Sequence, residues 1–577
     1  MTNQEIAKIL HEMAQMLEMN NIAFKPRAYE KAAMGVESLG EEAKEIYKKE
    51  GVGALMKIPG VGRGISEHIE ALLKHGHFLE YDQLKKKFPI HISELSSVEG
   101  VGPKMIKVLW EKLKIKNLND LERAAKAGRV GALPRFGKKS EEKILKGIEF
   151  LKKSGGRQIL GLLLPEIRNL EKIIQSFPDV ERAIVAGSVR RRKETIGDID
   201  ILAVSKKLEK VMDQFVSLPE VAHVYAKGKT KTMVKLKNGL DVDLRVVSAN
   251  SYGAALNYFT GSKDHTVKLR DIALKKKWKL NEYGLFKGAK QIAGKTEEDL
   301  YKKLGLEYIE PELRENTGEI ELVIHGGTLP KLIGYNDLKG DLQVQTDWTD
   351  GENSIIEMAQ EAARLGLEYI AITDHTKSLA MTGGADEKKL RKQIVEIEKI
   401  NQQLLKEKSK IKILTGAEVN IGKDGLLDIK DEVLKKLAVV GAACHSHFNL
   451  SVSEQTKRII RAMENPNVDI IFHLTGRVIN RRAAIQLDVD EIITVAKRTG
   501  TILEIDAYPD RSDIKDEYIK KCVEAGVKMS IDSDAHSIQH FKFLEIGIAQ
   551  ARRGWAEKKD IVNTRPLAEF LKLLVKN

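Results

Sequence analysis

The sequence predicts a multidomain protein in which small helical domains precede an α/β domain and a C-terminal barrel of seven β/α units. Three observations predict this class. A phrase of the form apolar-x-Gly-Val-Gly occurs twice before a helical run in the N-terminal part. A Gly-Ser turn and acidic strands follow in the middle. Seven short apolar segments then alternate with helical runs, which is typical of a parallel sheet.

Length, composition and charge limit the class of protein. A chain of 577 residues is too long for one hydrophobic core, so several domains are expected. The sequence has no run of about 18 apolar residues and no signal peptide at its N-terminus, so we expect no membrane partner. Two cysteines, Cys444 and Cys522, fit a reducing cytoplasm. The net charge of +13 favours nucleic acid as a partner and a nucleoid-associated location.

The two glycine phrases predict helix-hairpin-helix domains at residues 1–80 and 81–155, with a degenerate third copy at 133–140 and a hinge at Gly155-Gly156. Glycines let a phosphate approach the backbone, and the following helix presents free N–H groups. A single such turn is usually a plain helix cap, but two copies in a basic chain favour binding to the DNA backbone. The expected DNA-binding residues here are Gly60, Gly62, Arg63, Gly100, Gly102 and Lys104.

The α/β domain is expected at residues 156–250. An apolar run leads into Gly187-Ser188, and Asp198 and Asp200 follow in a predicted strand, where a period of two places both carboxylates on one face. Adjacent carboxylates repel each other and are tolerated around a divalent cation. Asp243, in a later predicted strand, could complete a three-carboxylate site for two-metal phosphoryl chemistry. The alternative is a set of solvated acids on strand faces.

A predicted subdomain at residues 251–316 begins with the phrase Tyr258-Phe259-Thr260-Gly261. Two aromatics before a glycine turn suit a pocket wall against a sugar and a base. The alternative is a pair of core aromatics before a turn.

The C-terminal barrel is expected at residues 339–577, after a linker at 317–338. Polar residues fall at the carboxyl ends of its predicted strands, where the sites of such barrels form. Imidazoles with carboxylates suit Mn²⁺, Zn²⁺ or iron, although a single strand-end histidine is usually only hydrogen-bonded. The candidate ligands at these strand ends are His375, Glu418, His445, His473, Asp534 and His536.

Residues 1–316 resemble a family X DNA polymerase, the group of gap-filling repair enzymes that includes polymerase beta. The resemblance rests on the paired hairpins, Gly187-Ser188-x-Arg190-Arg191, Asp198-x-Asp200, Asp243-x-Arg245, Tyr258-Phe259-x-Gly261-Ser262 and Asn281-Glu282-Tyr283-Gly284. It implies an α/β nucleotidyltransferase palm and DNA-templated gap filling in base excision repair. Mg²⁺, with Mn²⁺ as an alternative, is the implied cofactor.

The resemblance also implies roles for individual residues. Asp198, Asp200 and Asp243 are expected to be catalytic and to bind the two metals. Gly187, Ser188 and Arg191 are expected at the triphosphate. Tyr258, Phe259 and Gly261 are expected to line the sugar pocket, with Arg270 on the template side. Lys25 and Tyr29 match positions that grip a 5′-phosphate. His68 replaces the family lysine that forms a Schiff base with 5′-deoxyribose phosphate, so we predict no lyase by that route.

The last third resembles the PHP (polymerase and histidinol phosphatase) domain, a (β/α)7 barrel with a trinuclear site that cleaves phosphate esters. In bacterial polymerases this domain is linked to 3′→5′ exonuclease activity. Asp350 joins the strand-end candidates as a matching ligand, whereas His447 matches no ligand position. The first strand departs from the family because Gln343 and Gln345 replace its His-x-His, which predicts a weakened metal site and weakened exonuclease or phosphoesterase activity.

The leading hypothesis is a monomeric DNA polymerase that binds gapped or primer-template DNA with a 5′-phosphate, and dNTPs. One alternative is a PHP-type DNA nuclease or phosphoesterase whose front half is only a DNA-binding platform. The missing His-x-His argues against it. Another is a non-catalytic DNA-binding scaffold, against which the aspartate triad argues.

Overall fold

A computed structural model describes residues 1–37, 39, 42–98, 100–134, 136–153, 156–379 and 382–574, except for the side chains of residues 150 and 153. Arg135, in the expected third hairpin copy, and Gly155, in the expected hinge, lie outside the described residues. The chain divides into two compact units. One comprises residues 1–156, 342–488 and 533–542, and the other comprises 157–341, 489–532 and 543–577.

The N-terminal part of the first unit is helical, with one apolar core that includes Ile6, Leu10, Ile69 and Ile106. A capping box at Thr2 and Glu5 starts the first helix. The helices are α1 (Asn3–Met19), α2 (Lys25–Glu37), α3 (Ala43–Glu50), α4 (Val52–Leu55), α5 (Arg63–His75), α6 (Leu79–Lys87), α7 (Ile92–Ser96), α8 (Pro103–Leu113), α9 (Leu118–Lys126) and α10 (Gly137–Lys153).

Both glycine phrases form the predicted turns before a helix, which confirms the helix-hairpin-helix class. Gly62 is the N-cap of α5 and Gly102 that of α8, where Pro103 follows as the first residue of the helix. Gly60 has a φ of +73°, and a Cβ there would lie 2.7 Å from the carbonyl carbon of Lys31. Glycine is therefore required at this close approach between the turn and α2.

The second unit contains the palm sheet, whose strand order is β2-β4-β7-β6-β5. Strands β4 and β7 are parallel, and the other neighbours are antiparallel. The strands of this region are β1 (Gln158–Ile159), β2 (Arg182–Val185), β3 (Thr195–Ile196), β4 (Ile199–Val204), β5 (Val221–Lys227), β6 (Lys231–Leu236) and β7 (Asp241–Val247). The helices are α11 (Leu160–Gln175), α12 (Gly187–Arg190) and α13 (Leu208–Val216).

A small subdomain follows in the same unit, with a three-stranded antiparallel sheet in the order β10-β9-β8. Its core includes Leu269, Leu300 and Tyr301. The elements are α14 (Tyr252–Thr260), α15 (Lys263–Lys275), β8 (Lys279–Asn281), β9 (Gly284–Lys287), β10 (Lys290–Ala293) and α16 (Glu297–Leu304). The predicted linker contains a helix, α17 (Glu319–Ile324).

The C-terminal region has the predicted seven strands, which lie in one sheet in chain order, and this confirms the β/α barrel class. The pairs β12–β13, β13–β14, β14–β15 and β16–β17 are parallel. The strands are β11 (Gly340–Val344), β12 (Tyr369–Ile372), β13 (Lys412–Asn420), β14 (Val439–Ala443), β15 (Ile470–Ile471), β16 (Ile502–Asp506) and β17 (Met529–Asp532). The helices are α18 (Ile355–Arg364), α19 (Glu387–Lys406), α20 (Asp431–Leu434), α21 (Val452–Met463), α22 (Val489–Thr499), α23 (Asp516–Ala525), α24 (Leu544–Arg553) and α25 (Leu567–Leu574).

None of the described helices combines the length and the apolar character that crossing a bilayer requires.

Candidate metal centres

The palm brings the three predicted aspartates to one place. Asp200 and Asp243 are direct partners across the parallel strands β4 and β7. Asp198 lies one residue before β4, so the prediction that it lies within the strand was wrong. Burial, followed by the charges of Asp198 and Asp243, raises the pKa of Asp200 to about 6. A cation among these oxygens would relieve that repulsion, so the donor set fits divalent metals.

Gly187 is required beside this cluster. Its φ is +60°, and a Cβ at this position would lie 2.3 Å from Oδ2 of Asp200. The turn therefore approaches the carboxylate more closely than any other residue type would allow. Gly187 and Ser188 begin the four-residue helix α12 rather than a simple turn.

Asp243 and its neighbour Asp241 lie in different surroundings. Nζ of Lys231 lies 2.8 Å from Oδ2 of Asp243, which is largely buried. Asp241 is about half exposed and contacts Lys235 at 3.0 Å. The two residues share a face of β7, but only Asp243 lies opposite Asp200.

The arginines of the palm motif both contact the subdomain that follows. Arg190 pairs with Glu297 at 2.6 Å and donates to Oγ1 of Thr260 at 2.7 Å. Arg191 donates to Glu315 at 2.8 Å and also to the Thr260 carbonyl. The glutamate partners could not be predicted from the sequence, because they lie more than 100 residues from the motif.

The predicted sugar-pocket residues lie close to two arginines. The Tyr258 and Phe259 rings are perpendicular, with centroids 4.9 Å apart. The Arg270 guanidinium lies 5.1 Å from the Tyr258 ring centroid, and that of Arg245 lies 4.1 Å from the Phe259 centroid. Gly261 ends helix α14 with a φ of +69°.

The predicted 5′-phosphate residues form a cluster in the N-terminal helices. The Tyr29 hydroxyl lies 2.8 Å from Nδ1 of His68, and Lys25 lies 3.3 Å from Glu80. Burial lowers the pKa of His68, which favours the neutral form of its ring. Glu80 was not predicted, and its carboxylate balances the charge of Lys25.

The barrel cluster is centred on Glu418, which is fully buried. Nδ1 of His375 lies 3.1 Å from this carboxylate, Nε2 of His445 lies 3.0 Å from it, and Nε2 of His473 lies 2.9 Å from it. Burial alone would raise the pKa of Glu418, but the charges of His375 and His445 hold it well below its usual range.

A second group shares His375 with the first. Ligand atoms of Asp350, His375 and His536 all lie within 4.8 Å of one another. Oδ1 of Asp350 is buried and lacks a hydrogen-bond partner among the described residues. The Nδ1 of His536 contacts the backbone carbonyl of Asp534 at 2.8 Å. These donors suit a divalent transition metal.

The glutamines of the first barrel strand lie inside this site. Gln343 and Gln345 are both fully buried. The Gln345 amide donates to Oε2 of Glu418 at 3.0 Å, while its own Oε1 lacks a partner among the described residues. An amide here gives Glu418 a hydrogen bond in place of a metal-binding imidazole. The donor set therefore fits metals at the two groups of imidazoles and carboxylates and fits a third metal poorly.

Three other polar residues of the barrel belong to neither of these two ligand groups. Oδ1 of Asn420 accepts a hydrogen bond from Nδ1 of His445 at 2.8 Å, which fixes the ring with Nε2 toward Glu418. His447 is exposed and stands outside both ligand groups. Asp374, another strand-end residue, accepts from the backbone N–H of Thr346 at 2.8 Å and supports the loop instead.

Four protein-family descriptions match parts of the chain. "Helix-hairpin-helix domain" matches residues 1–78, "SAM-like Helix-hairpin-helix tandem" matches 92–149, "DNA polymerase beta thumb" matches 255–315 and "PHP domain" matches 341–564.

Comparison with named proteins gives matches of different length. The chain is 34% identical over 582 residues to "DNA polymerase/3'-5' exonuclease PolX" of Bacillus subtilis, and the match covers 100% of both chains. A "Probable phosphatase" of Thermoanaerobacter is 34% identical over 195 residues, which is 32% of this chain and 73% of the relative. DNA polymerase lambda of Rattus norvegicus is 24% identical over 344 residues, 54% of this chain and 56% of the relative. The chain therefore belongs to the bacterial family X DNA polymerases that carry a C-terminal PHP domain.

Proposed function

We propose that this protein is a DNA-directed DNA polymerase that fills short gaps during DNA repair. The observation that carries the proposal is the facing pair Asp200 and Asp243, with Asp198 beside it, in a chain related to a polymerase over its full length. We assign the catalytic role to these three aspartates. The PHP-type nuclease with a passive front half is not favoured, because the palm carboxylates are complete whereas the barrel ligands are not.

Asp198, Asp200 and Asp243 would hold Mg²⁺, with Mn²⁺ as an alternative. Bound there, the metals supply activation of the primer 3′-hydroxyl and charge neutralisation at the triphosphate. Gly187 and Ser188 bring backbone N–H groups and a hydroxyl to the phosphates.

Arg191 adds a guanidinium to the triphosphate site. It is held by Glu315 at 2.8 Å, so an incoming triphosphate competes with that carboxylate for the same donor. Tyr258, Phe259 and Gly261 line the sugar side of the pocket, and Arg270 faces the template side.

DNA is held by two glycine hairpins and a 5′-phosphate pocket. The hairpin residues Gly60, Gly62, Arg63, Gly100, Gly102 and Lys104 bind the backbone without reading bases. Lys25 and Tyr29 bind the 5′-phosphate of a gap. We assign residues 1–80 and 81–155 to these hairpin domains, 156–250 to the palm, 251–316 to the thumb-like subdomain, 317–338 to the linker and 339–577 to the PHP barrel. The protein acts as a monomer in the cytoplasm, associated with the nucleoid.

The barrel would hold Mn²⁺ or Zn²⁺ through Asp350, His375, Glu418, His445, His473, Asp534 and His536. Its activity on 3′ ends is weakened because Gln343 and Gln345 withhold two imidazoles. We expect no lyase reaction by the Schiff-base route at His68, since an imidazole cannot form a Schiff base.

Extension of a primer across a short gap tests the proposal. The wild-type chain should incorporate dNTPs opposite the template, and Asp198→Ala/Asp200→Ala should abolish incorporation. Barrel variants such as His473→Ala should leave extension in place. Extension that survives the double palm substitution would overturn the proposal.

A further inference from the structure

Strand β5 at the edge of the palm sheet is exposed along its length. Residues 222–230 are all exposed, including the large side chains Val224 at 37% and Tyr225 at 49%. Edge strands with exposed apolar and aromatic side chains are usually blunted or covered in folded proteins. This strand therefore presents a surface that is available to a partner.

Two β-bulges turn the aromatic residues of this strand to the catalytic face. The register shifts between Val221 and His223 and again between Val224 and Ala226. His223 pairs with Lys235, and Lys235 pairs with Asp241 in the next strand. Cross-strand partners share a face, so His223 lies on the face that carries the carboxylates. Bulges beside active sites commonly re-aim side chains in this way.

Tyr225 reaches the same face. Its hydroxyl lies 3.1 Å from Oδ1 of Asp241, and its ring centroid lies 5.1 Å from that of His223 in a perpendicular pair. Nζ of Lys235 lies 6.0 Å from the Tyr225 ring centroid. We call His223 and Tyr225 the edge aromatics. They form a fixed pair of rings, one of which is tied to the sheet by a hydrogen bond.

The edge aromatics lie two strands from Asp243, close enough to contact DNA bound at the carboxylates. Strand β5 is two positions from β7 in the sheet order, which is about 10 Å at the usual strand spacing. On the adjacent strand β6, Nζ of Lys231 lies 2.8 Å from Asp243 and Nζ of Lys235 lies 3.0 Å from Asp241, so this face carries positive charge that a phosphate backbone could contact. Aromatic rings beside such charge are a typical platform for unpaired bases, whose faces are free to stack.

We propose that the edge aromatics bind the unpaired 3′-terminal nucleotides of a frayed or mismatched primer strand. A paired base has both faces covered by its neighbours and gains little from these rings, whereas an unpaired base stacks on them. The surface therefore favours the mismatched over the matched primer end and holds a frayed end beside the palm. This inference rests on the proposed function, because that function places the primer end at Asp243.

Fluorescence anisotropy with two gapped duplexes tests the inference. One has a fully paired primer end and the other has three mismatched nucleotides at its 3′ end. His223→Ala/Tyr225→Ala should lower the affinity for the mismatched end relative to the paired end by about tenfold, the size expected for lost base stacking. Tyr225→Phe, which keeps the ring, should retain most of that ratio.

Two outcomes would overturn the inference. An equal loss of affinity for both duplexes would show that the rings contact paired DNA, and no loss for either would show that they contact no DNA. Circular dichroism of the double variant checks that the palm remains folded. Wild-type protein that binds both duplexes but fails to extend the paired primer would instead contradict the proposed function, so the two failures are distinguishable.

Discussion

The side-chain amide of Gln345 donates a hydrogen bond to Glu418 at 3.0 Å inside the barrel cluster. The resemblance to the PHP family predicts an imidazole at this position, and in this chain the amide instead donates to the central carboxylate. Glu418 is fully buried and needs such partners. The hydrogen bond from Gln345 therefore stabilises the buried carboxylate at the centre of the barrel site.

Restoring the imidazoles should restore the missing metal position. Gln343→His/Gln345→His should raise the metal content by about one ion per chain and increase 3′→5′ degradation. Elemental analysis after dialysis against Mn²⁺ or Zn²⁺ measures the metal content. Digestion of a labelled single strand of DNA measures the 3′→5′ degradation. Unchanged metal content would show that these positions are not ligands.

His445 and His447 allow a controlled test of the proposed barrel ligands, because only His445 is a proposed ligand and His447 serves as the control. His445 contacts Glu418 at 3.0 Å, whereas His447 is exposed. His445→Ala should weaken metal binding at least about tenfold, and His447→Ala should leave it unchanged. Isothermal titration with Mn²⁺ distinguishes them. Equal effects from both substitutions would contradict the ligand assignment.

The pH dependence of stability tests the electrostatics of the palm. Because the pKa of Asp200 is raised to about 6, ionisation of this carboxyl group lowers the stability of the folded state above that pH. The cost disappears as the pH falls below the ordinary value near 4. Without divalent metal at pH 8, Asp200→Asn should therefore be more stable, by about 2–3 kcal/mol.

Thermal unfolding in EDTA measures this effect as a rise in Tm of about 3–6 °C at pH 8 that vanishes near pH 4. A Tm that falls at pH 8 would show that the carboxylate is stabilising without metal.

In the proposed 5′-phosphate pocket, substitutions of Lys25 and of Glu80 should change the preference for a 5′-phosphorylated gap in opposite directions. Lys25 is paired with Glu80 at 3.3 Å. Lys25→Ala should reduce the preference for a 5′-phosphorylated gap by about tenfold, because a charge-assisted contact is lost. Glu80→Gln should increase that preference by releasing the lysine.

Binding of gaps with and without the phosphate measures the preference. Lys48→Ala, which removes an exposed lysine elsewhere in the helical region, is the control and should leave the affinity for both kinds of gap unchanged. A similar loss from Lys48→Ala would indicate a general effect of charge.

The sequence predicted the architecture well where local patterns decide it. The glycine hairpins, the alternating barrel segments and the aspartate spacing each depend on short-range backbone preferences. Glu297 and Glu315 could not be predicted, since their partners Arg190 and Arg191 are brought near only by the tertiary fold. The bulges that turn Tyr225 toward Asp241 could not be predicted from the sequence either, because an exposed edge strand has only a weak alternation of apolar and polar residues.

The residues Asp241 and Asp243 allow the most direct test of the central claim. They lie two apart on one strand, but only Asp243 is opposite Asp200. Single-turnover incorporation of one dNTP into a one-nucleotide gap should fall by about a thousandfold or more in Asp243→Asn, as expected for loss of a metal-binding carboxylate, and by less than about threefold in Asp241→Asn. Equal rates in the two variants, or incorporation by Asp243→Asn at the wild-type rate, would contradict the account.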